Sequence, residues 1–168
     1  TLANIYTERG NLHRDKYDYV NAKNDYDNAL RIMPDYAFTL MSKAMMFSYK
    51  REFDNAFAFH NKSIEVLPNC GECFVRRGET NEQLNKFDEA LSDFNRGIEL
   101  EPLNDFLYSR RAYFFLRRKN LDSAAKDFRN VIDLTSFSVA RDQAALELKR
   151  IDPTFQKSLD KNEGTNKS

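Results

Sequence analysis

Residues of one type return every 34 positions along this chain. Gly10, Ala44, Gly78 and Ala112 form one column, and Ala22, Ala56, Ala90 and Ala124 form another. A third holds Tyr26, His60, Phe94 and Phe128, and a fourth Tyr19, Phe53, Phe87 and Leu121. Pro34, Pro68 and Pro102 make a fifth, with Ser136 where the next proline would fall. A fixed period in this range marks stacked supersecondary units. Within each period, two apolar-periodic stretches flank a polar break such as Asp15-Lys16-Tyr17-Asp18. The pattern predicts helices near 3–15, 19–32, 37–50, 53–66, 71–84, 87–100, 105–118 and 121–134. Small residues fall where the two helices of a pair cross, because axes ~8–10 Å apart leave no room for a larger side chain. Each proline stops a second helix and opens the next connection.

The columns resemble the tetratricopeptide repeat, which places a small residue at repeat position 8, an aromatic or Leu at 17, Ala at 20, an aromatic at 24, a small residue at 27 and Pro at 32. Position 27 here reads Ala29, Ser63, Gly97 and Val131. The resemblance covers roughly residues 3–138 and departs at His60, Val131 and Ser136. It implies an all-α, right-handed superhelical solenoid of four helix-turn-helix repeats, at about 3–36, 37–70, 71–104 and 105–138. A ninth helix at 138–151 carries Ala140, Ala144, Leu148 and Ile151 on one face and is read as a cap for the last repeat. Residues 152–168 are polar and aperiodic and are read as a tail.

Repeat position 7 is basic throughout (Arg9, Lys43, Arg77, Arg111), and position 23 is Asp25, Phe59, Asp93 and Asp127. Arg is thus matched by Asp and Lys is not. A guanidinium fork fits a carboxylate in a way an ammonium does not, so an Arg–Asp clamp is expected inside repeats one, three and four.

The resemblance further implies that first helices line a concave groove through positions 2, 5, 6, 9, 12 and 13. Those positions supply the candidate peptide-binding residues: Asn11, Phe38, Met41, Met45, Tyr49, Arg76, Phe106, Arg110 and Tyr113. Phe38, Met41, Met45 and Tyr49 read as an exposed apolar patch, of the kind that marks a partner surface. Arg76 and Arg110 read as cations without a helical acid partner. The expected ligand is therefore a protein or peptide with an apolar anchor and an acidic group. Cover of the patch by the first repeat or by a second copy is the competing reading, so homotypic assembly is kept as an alternative. One branch of the family clamps chaperone tails with Lys, Asn, Asn, Lys and Arg at set positions. This chain has Thr7, Asn11, Ser42, Glu72 and Arg76 there, so that specificity is disfavoured.

Other chemistries find little support. Lys+Arg and Asp+Glu are both 26, which lacks the basic excess of a nucleic-acid binder. No run of ~18 apolar residues exists to span a membrane. Cys70-Gly71-Glu72-Cys73 lacks the βαβ setting of a redox motif and is read as incidental, with a local disulfide or a reactive thiol as the alternative. His13 and His60 lack metal-ligand spacing, and no nucleophile or phosphate-loop motif is present. No catalytic residue, metal or cofactor is assigned, and the chain is read as an adaptor or scaffold module, with a structural module or a regulatory or carrier domain of a larger, possibly exported bacterial protein as alternatives. Thr1 in place of Met implies a processed or excised chain and leaves cytoplasmic and exported settings both open.

Overall fold

The structure, a computed structural model, describes residues 1–152. Among these residues there are nine α-helices and no strand: α1 Leu2–Asp15, α2 Tyr19–Ile32, α3 Ala37–Tyr49, α4 Phe53–Val66, α5 Gly71–Gln83, α6 Phe87–Leu100, α7 Asp105–Arg117, α8 Leu121–Leu134 and α9 Ser138–Ile151. Every boundary lies within a residue or so of the expectation from the 34-residue period. Except for Asp152, the expected tail lies outside the described residues. The chain divides into two compact units, Thr1–Leu100 and Glu101 onward. The first unit consists of the hairpins α1/α2, α3/α4 and α5/α6; the second consists of α7/α8 with α9 packed on α8.

The hairpin turns share one backbone device. Tyr17, Arg51, Asn85 and Lys119, each 34 residues from the next, have φ of 61°, 61°, 59° and 58°. At each, the following N–H reaches back to a carbonyl five residues earlier, as in Asp18 to His13 (2.9 Å) and Lys86 to Asn81 (3.0 Å). The left-handed residue's own N–H bonds three residues back, as in Tyr17 to Arg14 (2.9 Å). This double closure satisfies carbonyls that a helix end leaves open. It ordinarily uses glycine, and none of the four is glycine.

The alanines of both columns are fully buried at the crossings. Gly97 shows how tight these crossings are. A Cβ built there would lie 2.7 Å from the Gly71 carbonyl oxygen and 2.7 Å from Val75 Cγ2. The oxygen belongs to the first turn of α5 and cannot swing aside. Gly97→Ala is expected to destabilise the chain by about 1–2 kcal/mol, the strain outweighing the ~1 kcal/mol that Ala gains in helix propensity. A urea midpoint equal to or above that of the wild type would show that α5 and α6 can separate.

All three expected clamps are present. Asp25 accepts from Arg9 Nε (2.8 Å) and Nη2 (2.6 Å). Asp93 accepts from Arg77 Nε (3.0 Å) and Nη2 (2.7 Å), and Asp127 from Arg111 Nε (2.7 Å) and Nη2 (2.8 Å). Each pair ties the first helix of a hairpin to the second. In the second hairpin Lys43 instead bonds Asp27 on α2 and lies 4.4 Å from the Phe59 ring centroid.

Candidate functional site

Helices α1, α3 and α5 stand side by side in the first unit, joined by buried hydroxyl pairs. Thr7 Oγ1 lies 2.6 Å from Thr39 Oγ1, and Ser48 Oγ lies 2.8 Å from Thr80 Oγ1. Between them opens a cleft of about 250 Å³, lined by Asn4, Thr7, Glu8, Asn11 and Arg14 of α1, Phe38, Met41, Ser42 and Met45 of α3, Glu72 and Arg76 of α5, and Tyr36 from the preceding loop. Apart from Tyr36, every lining residue occupies one of the repeat positions expected to face a groove. Asn11, Phe38, Met41, Met45 and Arg76 are thereby brought together.

The chemistry of the cleft differs from expectation in two respects. Met41 and Met45 are buried, at 6% and 8% exposure, so α3 carries no broad wet apolar patch. Arg14 lies over Met45, its guanidinium Nη1 4.0 Å from Met45 Sδ and its Cζ 6.0 Å from the Tyr49 ring centroid. On its other side, Met41 packs on Cys70 and Cys73. The accessible apolar surface is Phe38, 42% exposed, set edge-on to Tyr36 at the mouth of the cleft. Tyr49 is also exposed but is not part of the lining.

Arg76 is not a cation without an acid. Its Nε and Nη2 donate to Glu72 Oε1 at 3.1 and 2.9 Å, and its Nη1 donates to Glu79 at 3.2 Å. Burial works against its charge, but Glu79 and Glu72 more than offset that, and the guanidinium holds its proton more firmly than usual. Asn11 is also engaged: its Oδ1 accepts from Tyr26 OH at 2.9 Å and from Arg14 Nη1 at 3.1 Å. What Asn11 offers a ligand is therefore its amide N–H donors. Glu8 is exposed on the same wall and makes no hydrogen bond or ion pair among the described residues.

Cys70 and Cys73 are joined in a disulfide, which corrects the reading of them as incidental. Cys70 is the N-cap of α5 and Cys73 sits in its first turn, so the helix itself sets the two side chains together. Glu72, between them, is held by the same turn.

In the second unit, Phe106 and Tyr113 line a separate cavity of about 190 Å³ with Phe128, Val131 and Ala144. Tyr113 meets Phe128 edge-on at 5.3 Å, and Arg110 Cζ lies 5.7 Å from the Phe106 ring centroid. Among the described residues no cluster of His, Cys, Asp and Glu is suited to a metal ion, and no helix is long and apolar enough to cross a membrane.

Residues 71–102 match the family model of the tetratricopeptide repeat. No curated protein matches the sequence significantly. Among solved structures, the chain is similar to pilF of Pseudomonas aeruginosa, with a TM-score of 0.75 and 17% identity over 94% of this chain and 71% of that one. It is similar to the first TPR of Spaghetti (RPAP3) bound to the HSP90 peptide SRMEEVD, with a TM-score of 0.58 and 25% identity over 71% of this chain and 93% of the other. It is also similar to the MamA protein, with a TM-score of 0.61 and 18% identity over 99% of this chain and 94% of that one. The chain is an all-α repeat protein of the tetratricopeptide-repeat fold, whose members generally serve as protein–protein interaction modules without catalysis.

Proposed function

We propose that the first unit holds an extended segment of a partner protein in the cleft between α1, α3 and α5, and that the chain acts as an adaptor or scaffold. The observation that carries this reading is the lining itself: three successive first helices turn the same repeat positions into one concavity. An apolar side chain seats against Phe38 with Met41 and Met45 beneath it. Burying the exposed share of the Phe38 ring contributes roughly 2 kcal/mol. The ligand's polar group is better a donor or a cation than the acid expected from the sequence, because Arg76 already faces two carboxylates while the Glu8 carboxylate makes no ion pair among the described residues. The same argument speaks against an acidic tail such as the peptide bound by the Spaghetti repeat, since Glu72 stands where a clamp lysine would be. In the second unit, Phe106 and Tyr113, with Arg110 beside them, are offered as a separate anchoring point for an apolar side chain. Helix α9, packed on α8, is read as the cap.

Peptides selected from a random library against the wild-type chain test this. They are expected to pair an apolar residue with Lys or Arg. They are expected to bind Phe38→Asp at least tenfold more weakly, a change of about 1.4 kcal/mol. Selected peptides that bind Phe38→Asp and Glu8→Lys as well as the wild type would show that the cleft is not the docking site.

A further inference from the structure

Apart from the cleft, a hollow of about 470 Å³ opens between α4, α5 and α6. Phe57 of α4 lines it, with Asn81 of α5, Lys86 of the turn before α6, and Asp88 and Glu89 of α6. Helix α5 packs on both α4 and α6, so the hollow lies inside the run of helices of the first unit. One period earlier, Phe47 and Phe59 stack with ring centroids 5.6 Å apart. Asn81 and Asp93 stand at those two places here, so shorter polar side chains replace a pair of rings.

Asn81 is 7% exposed. Its Nδ2 donates to Asp93 Oδ2 at 3.1 Å. Its Oδ1 accepts no hydrogen bond among the described residues and is not sealed from solvent. A carbonyl oxygen on so buried a side chain, lining an open hollow, calls for a donor. Asp88 and Glu89 are exposed, and neither carboxylate makes a hydrogen bond or ion pair among the described residues. Their place in the first turn of α6 accounts for two acids there. It does not account for Asn81, which sits on another helix. Lys86 Nζ lies 5.6 Å from the Phe57 ring centroid and makes no ion pair among the described residues, so the face of that ring already takes a cation.

The protein's own arginines show what such groups hold together. Arg9, Arg77 and Arg111 lie over the rings of Tyr6, Phe74 and Tyr108 at 5.3, 5.5 and 5.9 Å, while donating to Asp25, Asp93 and Asp127. A guanidinium does both at once because its donors lie in its plane and its faces are left to stack. The hollow offers the same two elements, a ring and carboxylates, and adds the Asn81 oxygen. We infer that it holds the side chain of an arginine from a partner protein. The guanidinium takes the place of the Lys86 ammonium over Phe57 and donates to Asn81 Oδ1 and to the carboxylates on α6.

The probe is the capped peptide acetyl-Gly-Ser-Arg-Ser-Gly-amide, titrated into the full chain and followed by NMR through the side-chain amide signals of Asn61 and Asn81. It is expected to bind saturably at roughly millimolar concentration, as a single side chain should. The double variant Asp88→Asn with Glu89→Gln is expected to weaken it about fivefold, since exposed ion pairs contribute little singly. Lys86→Met is expected to tighten it about threefold by freeing the ring. All three residues are exposed, so melting temperatures should stay near that of the wild type. The same peptide with Lys for Arg is expected to bind about threefold more weakly, because an ammonium has no plane to stack. Asn81 signals that stay still up to ~50 mM peptide, or equal binding to the double variant, overturn the inference. So does binding abolished by Glu8→Lys and untouched by the double variant, which would put the peptide in the cleft. Light scattering that shows a dimer dissolved by the double variant also overturns it, because the occupant would then be a second copy.

Discussion

Asp93→Ala is expected to lower the unfolding free energy by about 3 kcal/mol, read as a shift of the urea midpoint. The Asp93 carboxylate is nearly inaccessible and accepts three hydrogen bonds, two from Arg77 and one from Asn81 Nδ2 at 3.1 Å. Truncation leaves the Asn81 amide, itself buried, without that acceptor. It also leaves a largely buried guanidinium with Asn61 and the face of Phe74 as its remaining partners. Bonds to a charged acceptor contribute ~1.5–3 kcal/mol, and a stranded buried donor costs ~1–3 kcal/mol. These terms overlap, so the total falls well short of their sum. Asp25→Ala, at the same place in the first hairpin, is expected to cost about half as much. Arg9 is more than half exposed and can exchange its carboxylate for water. Equal losses at the two sites would mean that burial of the carboxylate alone, and not the fate of its donors, sets the energy.

Acid is expected to weaken the fold through His60. Its ring is fully buried in the column where the other hairpins carry Tyr26, Phe94 and Phe128. Nε2 pairs with Thr80 Oγ1, and Nδ1 has no hydrogen-bond partner. Burial, reinforced by the charges of Arg77 and Arg76, pushes the imidazole pKa down to about 3. In the unfolded chain it titrates near ~6.5. Between those two values the unfolded state binds more protons than the native state, so stability falls as pH falls. It is intact above the unfolded value and declines toward pH 3 by up to ~1.4 kcal/mol per pH unit, or about 3 kcal/mol by pH 4.5. His60→Phe removes this dependence and the stranded Nδ1. Thr80 keeps Ser48 and the Arg76 carbonyl as partners, so the variant is expected to gain about 1 kcal/mol at pH 7. The difference between the two proteins, followed by urea titration from pH 7.5 to 4.5, should widen steadily. A constant difference would mean that His60 is neutral in both states or charged in both.

The period made the helices legible because helix crossings tolerate few residue types, and a column of Ala and Gly leaves little choice. The Arg–Asp clamps were legible for a related reason: both partners sit in the same 34-residue unit, 16 residues apart. Lys43 was missed because its acid, Asp27, is also 16 residues away but in the preceding hairpin. The acids around Arg76 stand at helical spacing, at i−4 (Glu72) and i+3 (Glu79), so this pairing is legible in the sequence. Burial of Met45 and Met41 was not legible, since the first depends on Arg14 reaching across from α1 and the second on Cys70 and Cys73 packing from α5 and its cap. The disulfide needed the first turn of α5 to be in place before a three-residue spacing meant contact. Of the left-handed turn residues only Asn85 is of a type that favours that conformation; Tyr17, Arg51 and Lys119 carry none of its marks.

Those turns have a consequence for how the protein can diversify. The double closure at each hairpin holds the left-handed backbone whatever the residue, at a steric cost of ~1–2 kcal/mol. Tyr17, Arg51, Asn85 and Lys119 are all exposed. The backbone closure thus asks nothing of the side chain at these four tips, and where a side chain is used it reaches only to its own hairpin, as Tyr17 does to Tyr19 (6.3 Å between ring centroids) and Arg51 to Phe53 (5.5 Å).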